Sequence, residues 1–169
     1  TMLNNRLKEK ALDADCPYVG AYANDGTFIF AKTKDAFNLS ASPKELGKTA
    51  DALKAAYTEA LRAARHGFTA TEYARFQEDY KSSLDKMYSN KDKRPNSQLY
   101  RDLVDNFLEG DPMPSIDFEY QAMSQIVPAM PVEVANQMMA ELVPANDSNL
   151  IVLSFLNEAE GNVYPTEAE

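Results

Sequence analysis

The chain has 169 residues, of which 44% are hydrophobic and 25% charged, so it is long enough to bury the core of one globular domain. Its formal charge of -9 argues against non-specific binding to nucleic acid, because phosphate contacts need a basic surface. No apolar run approaches the roughly 20 residues of a membrane span, and the single cysteine, Cys16, excludes an internal disulfide bond.

The first 41 residues show one helical pattern and then three strand patterns. Apolar residues at spacings of three and four predict a helix over 2–13. The triplet Asn24-Asp25-Gly26 is typical of a hairpin turn, because these residue types tolerate positive φ. The predicted strands are 18–23, 27–33 and 36–41, the last with Phe37, Leu39 and Ala41 on one face.

Five helical patterns follow, with recognisable start and stop signals. Asn96 or Ser97 can cap the third of these helices, and Gly110 ends it. Pro128 and Pro131 separate the last two. The predicted helices are about 44–66 with a stripe of Leu46, Leu53, Tyr57, Ala60, Leu61 and Ala64, one carrying Tyr73, Phe76, Tyr80, Leu84 and Met87, one through Leu99, Leu103, Phe107 and Leu108, one over roughly 115–127, and one over 131–142.

The strand and helix patterns are segregated along the chain, which predicts an α+β fold. We expect two layers, with an antiparallel-rich sheet and several helices packed on one of its faces. The apolar run at 149–156 has strand length and predicts a further buried strand. Residues 1–157 are therefore predicted as one α+β domain segment, and the polar 158–169 as a linker. Both ends look cut from a longer chain, so we expect a fragment of a larger polypeptide.

The most specific local signal lies between the first two long helices. Gly67 is predicted to end the earlier helix in the left-handed region, where a Cβ would be strained. Thr69 and Glu72 fit a capping box that starts the later helix, and Phe68 and Tyr73 fit the accompanying hydrophobic staple. These five residues have structural roles and define a helix–helix joint, without an activity.

The sequence offers no constellation for catalysis. His66 is the only histidine, and its position in the last turn of a helix already accounts for it through the helix dipole. No His-x-x-Glu-His or Gly-x-Ser-x-Gly motif and no phosphate-binding glycine loop occurs. The basic stretch at 91–94 is interpreted as a solvated loop between helices. We therefore assign no catalytic, cofactor-binding or metal-binding residue to this segment.

Four stretches resemble parts of the pitrilysin/insulinase-type zinc metallopeptidases (inverzincins), and especially the long bacterial zinc proteases. "MLNNRLKEKA" is similar to a helix ending in an Asn-Arg-Leu stretch. "GFTATE" resembles the family's Gly-Phe-Thr-x-x-Glu joint. "LYRDLVDNFLEGDPMPS" resembles the helix that follows later in the family and the residues that end it. "NLIVLSFLNEAEGNVYPTEAE" looks like a last strand and a linker to the second half. The likeness covers nearly the whole chain.

The resemblance implies a parent with two similar halves that enclose an unfolded peptide, and with zinc in the first domain of the first half. It implies that this chain is the C-terminal part of a non-catalytic domain. Tyr22 follows Gly20 but lacks the second glycine and Arg-Glu-x-Gly pattern of the family's last domain, which favours the second domain. The expected partners are other domains of the parent and its peptide substrate, and an exported, for example periplasmic, parent is favoured.

Two other functions remain open at this point. The parent could be a relative without zinc that serves as a structural or peptide-holding subunit. The chain could instead be a stand-alone helical interaction module, whose groove would be the Met-rich segment 113–139. An intact His-x-x-Glu-His motif upstream in the parent would favour the enzyme over the zinc-less relative, whereas stable monomeric folding and tight binding of an apolar helix would favour the module.

The family's domain begins with strands that would precede Thr1, so the sheet of this chain is expected to have an exposed edge. We predict that the isolated 169-residue chain self-associates through that edge. Light scattering over a range of concentrations measures this. A strictly monomeric species would contradict the prediction.

Overall fold

The computed structural model describes residues 1–28, 31–144, 146, 148–157, 159–161, 164 and 166. Its described residues form six α-helices and a two-stranded antiparallel sheet, which confirms the α+β fold. The elements are α1 (Met2–Ala11), β1 (Tyr18–Phe28), β2 (Ala31–Pro43), α2 (Thr49–His66), α3 (Ala70–Ser89), α4 (Asn96–Glu109), α5 (Ile116–Ala129) and α6 (Val132–Leu142). Short 3-10 turns at Leu46–Lys48 and Lys91–Lys93 precede α2 and α4.

These elements fall into two compact units. The first consists of Thr1–Thr69 together with Val132–Glu169, and it holds the sheet with α1, α2 and α6. The second is Ala70–Pro131 and holds α3, α4 and α5. The boundary predicted at residue 157 stays a prediction, since much of 158–169 lies outside the described residues. Within the described chain, no helix combines the length and hydropathy that crossing a bilayer requires.

One face of the sheet is apolar and packs into the core of the first unit. Ala21 lies opposite Ala41, and Ala23 lies opposite Leu39. These residues and Phe37 contact the buried core cluster, whereas Tyr22, which points to the other face, is 56% exposed. The predicted common face of Phe37, Leu39 and Ala41 is therefore confirmed.

The predicted hairpin turn at Asn24-Asp25-Gly26 is wrong. The triplet lies inside β1, opposite residues 36–38 of β2. Among the described non-glycine residues only Asn149 has a positive φ, so Asn24 and Asp25 keep strand-like backbone angles. A residue that tolerates a turn does not impose one, and here the antiparallel pairing with β2 continues past the triplet. The predicted strand 27–33 includes residues 29 and 30, which lie outside the described residues, and its flanks belong to β1 and β2.

Helix α1 packs along β1 and satisfies polar groups of that strand. The Asn4 side chain donates to the carbonyl of Ala23 at 2.8 Å and accepts from its N–H at 2.7 Å. The side-chain amide therefore replaces a neighbouring strand at this position. Leu3 and Leu7 are the buried residues of α1. The buried Tyr18 hydroxyl donates to the carbonyl of Leu7 at 3.1 Å.

The predicted stripe of α2 is confirmed in part, since Ala60 is buried and Tyr57, Leu61 and Ala64 pack against the core, but the most deeply buried positions are mostly alanines. Its buried residues are Ala52, Ala56, Glu59, Ala60 and Ala63. Alanines let the helix axis approach its neighbours closely, and the larger predicted residues flank that contact, partly buried. The buried Glu59 carboxylate accepts a hydrogen bond from Arg62 at 2.8 Å, so this charge is paired.

In the second unit, α3 and α5 pack together through Tyr73 and Gln77. The Tyr73 hydroxyl donates to the carbonyl of Met130 at 2.8 Å, and the Gln77 amide donates to the carbonyl of Val127 at 2.9 Å. Helix α5 runs through Pro128 to Ala129, two residues further than its sequence predicts. This is tolerated because the Met130 N–H still reaches the carbonyl of Ile126 at 3.0 Å and ends the helix.

The boundaries of α4 follow the sequence at one end only. Gly110 ends it in the left-handed conformation, with φ 77° and ψ 16°, as predicted. Neither Asn96 nor Ser97 is the N-cap, because Pro95 occupies that position and the helix already includes both residues. The fixed φ of a proline suits the residue at which a chain enters a helix. Pro95 therefore takes the N-cap position, and α4 begins at Asn96.

The strand predicted at 149–156 is also wrong. Residues 150–157 form neither helix nor strand in the described chain, and Ile151, Val152 and Phe155 are exposed. A strand needs a partner for its backbone hydrogen bonds, and the sheet described here pairs only β1 with β2. The apolar pattern alone does not supply that partner.

Burial raises the pKa of Tyr18 to about 12, with smaller contributions from the nearby Cys16 thiol and Glu59 carboxylate. The unfolded chain has the ordinary tyrosine pKa of about 10. The neutral hydroxyl therefore stabilises the fold fully below about pH 10, and this contribution is lost as the pH rises towards 12. Tyr18→Phe should lower the free energy of unfolding by about 1 kcal/mol at neutral pH.

Above about pH 10 the difference between the wild type and Tyr18→Phe should shrink, because the wild type alone loses the buried neutral hydroxyl. Denaturant titrations at stepped pH measure the difference. Tyr22→Phe, at an exposed position of the same strand, is the matched control and should leave the pH dependence unchanged. A Tyr18→Phe difference that stays constant across this range would contradict the assignment.

Candidate functional site

The joint between α2 and α3 is built around the backbone of Gly67. Helix α2 ends where the Gly67 N–H reaches the carbonyl of Ala63 at 2.9 Å. Gly67 has φ 71°, positive as predicted, but its ψ of -168° places it in an extended region that is essentially restricted to glycine. A Cβ at this position would lie 2.6 Å from the Asn136 side chain. Backbone angle and space therefore both require glycine here.

The peptide group that joins Gly67 to Phe68 is held from both sides. The Arg6 guanidinium donates to the Gly67 carbonyl at 2.8 Å, and its carbon lies 4.8 Å from the centre of the Phe68 ring. The Asn136 side-chain oxygen accepts from the Phe68 N–H at 2.7 Å. One peptide plane thus binds α1 and α6, which are far apart in sequence.

The residues predicted for the joint have distinct environments. Phe68 and Tyr73 are buried, Thr69 is exposed, and Glu72 is partly buried at the start of α3. Helix α3 begins at Ala70, so Thr69 stands at the position expected of its cap. The reciprocal Thr69–Glu72 hydrogen bonds and the Phe68–Tyr73 contact stay predictions.

Sequence reasoning missed Arg6 and Asn136 as partners of the joint. Arg6 does lie in the Asn-Arg-Leu stretch singled out by the family resemblance, beside other residues that hold α1 in place. Asn5 follows Asn4, which pairs with Ala23, and Leu7 is buried. Asn136 gives no local signal, because its contact joins residues 68 apart.

A second cluster of polar and aromatic groups links α3, the turn at 91–93 and α5. The rings of Tyr88 and Tyr120 stack with centroids 4.2 Å apart, and the Lys91 ammonium lies 4.5 Å from the Tyr88 centroid. Lys91 also pairs with Asp117 at 2.6 Å. That hydrogen bond lowers the pKa of Asp117 and raises the pKa of Lys91. The Tyr120 hydroxyl donates to Asp85 at 2.8 Å, which raises the pKa of Tyr120.

These contacts agree with the interpretation of the basic stretch as an ordinary loop. Lys91 is neutralised by Asp117, and Arg94 forms an ion pair with Asp102. Lysines and arginines that bind nucleic acid must instead face phosphates. The contacts of these two side chains tie the loop to α4 and α5.

The described residues do not fit a metal site. No group of three or more His, Cys, Asp or Glu side chains in the described part of the chain could hold a metal ion. His66 is exposed at the end of α2, and Cys16 is buried and reduced. A shallow groove of 430 Å³ runs along α3, but its lining is polar and comes from residues 78–90 alone. It brings no acid, base and nucleophile together from separate elements.

Comparisons with protein-family models and with curated proteins gave no match. Among solved structures, the chain is similar to the first half of the periplasmic protease PqqL from Escherichia coli, with a TM-score of 0.72 and 19% identity over 83% of the chain. It is also similar to the structure of the periplasmic protease PqqL from Escherichia coli, with a TM-score of 0.65 and 20% identity over 83% of the chain. At these identities the likeness shows a shared fold.

The chain is much shorter than the structures it resembles. It spans 30% of the solved first half and 15% of the other PqqL chain. In both of these structures, most of the polypeptide lies outside the part that this chain matches.

Gly67→Ala should lower the free energy of unfolding by about 2–4 kcal/mol, because it strains a glycine-only conformation and displaces the acceptor of the buried Phe68 N–H. Gly110→Ala is the matched control. Gly110 also has a positive φ of 77°, but a Cβ there meets open space, so the loss should be roughly 1 kcal/mol. Denaturant unfolding followed by circular dichroism measures both.

The Asn136→Ala background separates the two causes. There the collision is absent, so Gly67→Ala should cost less than it does in the wild type. Equal losses for Gly67→Ala and Gly110→Ala would show that Asn136 does not restrict the joint.

Proposed function

We propose that the chain is a non-catalytic scaffolding segment of a zinc-dependent endopeptidase that cleaves peptides or unfolded proteins. Its role is to frame the chamber in which the substrate is held. The zinc-binding and catalytic residues of that enzyme lie outside these 169 residues. The enzyme is exported, as the neighbouring structures are of a periplasmic protein.

The observation that carries this proposal is the similarity of fold to the first half of a periplasmic protease over 83% of the chain. The family resemblance of the sequence supports it independently, because "NNRL" and "GFTATE" coincide with residues that hold the first unit together. Arg6 of the first stretch binds Gly67 of the second.

The chemistry of the described residues supports a framework role. Three buried or partly buried polar side chains among the described residues of the first unit are engaged with another side chain or with backbone: Glu59 with Arg62, Asn4 with Ala23, and Tyr18 with Leu7. The contacts of Asn4 and Tyr18 each hold α1 against β1, whereas the Glu59–Arg62 pair neutralises a buried charge within α2. A group that must transfer protons or attack a substrate needs access to it instead.

The proposal is tested on the complete polypeptide that contains these residues. It should cleave an unfolded peptide, lose that activity on chelation, and regain it with zinc. The 169-residue chain alone should cleave nothing and bind no stoichiometric zinc. A quenched fluorescent peptide and elemental analysis provide the two readouts.

Two outcomes would contradict the proposal in different ways. Cleavage or stoichiometric zinc in the 169-residue chain alone would make this segment catalytic. A complete polypeptide that binds unfolded peptides without cleaving them, with or without zinc, would favour a peptide-holding relative over an enzyme.

A further inference from the structure

Helix α4 is amphipathic, yet its apolar face is uncovered. None of its residues is buried. At 100° per residue its apolar side chains occupy one half of the helix surface. Phe107 is 86% exposed and Leu103 55% exposed. The face consists of Leu99, Tyr100, Leu103, Val104, Phe107 and Leu108.

An isolated helix of this length is only marginally stable in water, since 14 residues lie near the lower limit for helix formation without tertiary contacts. The described contacts of α4 do little to compensate. Its polar side chains make contacts such as the ion pair of Asp102 with Arg94 and the hydrogen bond from Asn106 to the carbonyl of Asp111, and these leave the apolar face uncovered. A contiguous apolar surface of this kind marks an interaction site.

We infer that this face docks against an apolar surface in another part of the longer polypeptide. The inference rests on the proposed function, because it takes the chain to be a segment of such a polypeptide. The length outside the chain supports it: the solved structures of this fold leave 70% or more of their own length unmatched. The additional polypeptide can supply the apolar surface that would cover α4.

The charges of α4 argue against a membrane surface as the occupant. Its polar half carries Arg101 against Asp102, Asp105 and Glu109. Helices that lie in a bilayer interface carry lysine and arginine on the polar face, because the lipid head groups are often anionic. The chain as a whole, at -9, would add to the repulsion.

The area argues against a second copy of this chain. Helix α4 is about 21 Å long, from 1.5 Å per residue. Such a face offers on the order of 500 Å² from each copy, whereas a stable specific interface takes roughly 800 Å² from each partner. A larger apolar surface of the remaining polypeptide can cover α4 more completely.

The test uses single cysteines in a Cys16→Ala background, which removes the only native thiol of these 169 residues, and any cysteine elsewhere in the complete polypeptide is replaced by Ala as well. Leu103→Cys places the probe on the apolar face. Gln98→Cys is the matched control on the opposite side of the same helix, at an exposed position. The rate of alkylation by a water-soluble maleimide is compared in the 169-residue chain and in the complete polypeptide.

Leu103→Cys should react about tenfold or more slowly in the complete polypeptide than in the 169-residue chain, because access then requires local opening. Gln98→Cys should react at similar rates in both. Equal rates for Leu103→Cys would overturn the inference. Slow labelling of Leu103→Cys in the 169-residue chain alone would also overturn it. If that protection grows with protein concentration, a second copy of the chain covers the face. If it does not, another segment of the same chain covers it.

Peptide cleavage is measured on the same samples, so the two proposals can fail separately. Cleavage without protection of Leu103→Cys would overturn the docking surface and leave the proposed function standing. Protection without cleavage would do the reverse.

Discussion

The first unit depends on a single peptide group, the one between Gly67 and Phe68. Its carbonyl accepts from Arg6 of α1, and its N–H donates to Asn136 of α6. A peptide group that is hydrogen-bonded on both sides is polarised, so each bond strengthens the other. Gly67 is required because only glycine adopts its backbone angles and leaves space for Asn136.

This constraint explains why the first unit is discontinuous in sequence. The chain leaves at Thr69 and returns at Val132, and α6 then packs on α2 with Asn136 at the joint. The same unit contains the sheet, whose β1 is held to α1 by Asn4 and Tyr18. These contacts make a fixed frame.

Local chemistry could be predicted from the sequence, and long-range pairing could not. Gly67 and Gly110 were both recognised as helix ends, because a residue without Cβ is needed at positive φ. Arg6 and Asn136 were missed as partners of the joint. A single sequence does not indicate which distant residues contact each other, and these two contacts span 61 and 68 positions of the chain. The triplet at 24–26 and the apolar run at 149–156 failed for the same reason, because strands are decided by what they pair with.

The central claim is that Arg6 and Asn136 act together on the peptide group between Gly67 and Phe68. A double-mutant cycle with Arg6→Ala, Asn136→Ala and the double variant tests it most directly, by the free energy of unfolding of each. We expect a coupling energy of about 0.5–3 kcal/mol, because either variant alone already releases the peptide group. Losses that simply add would show that the two side chains stabilise the chain independently, and would contradict the claim.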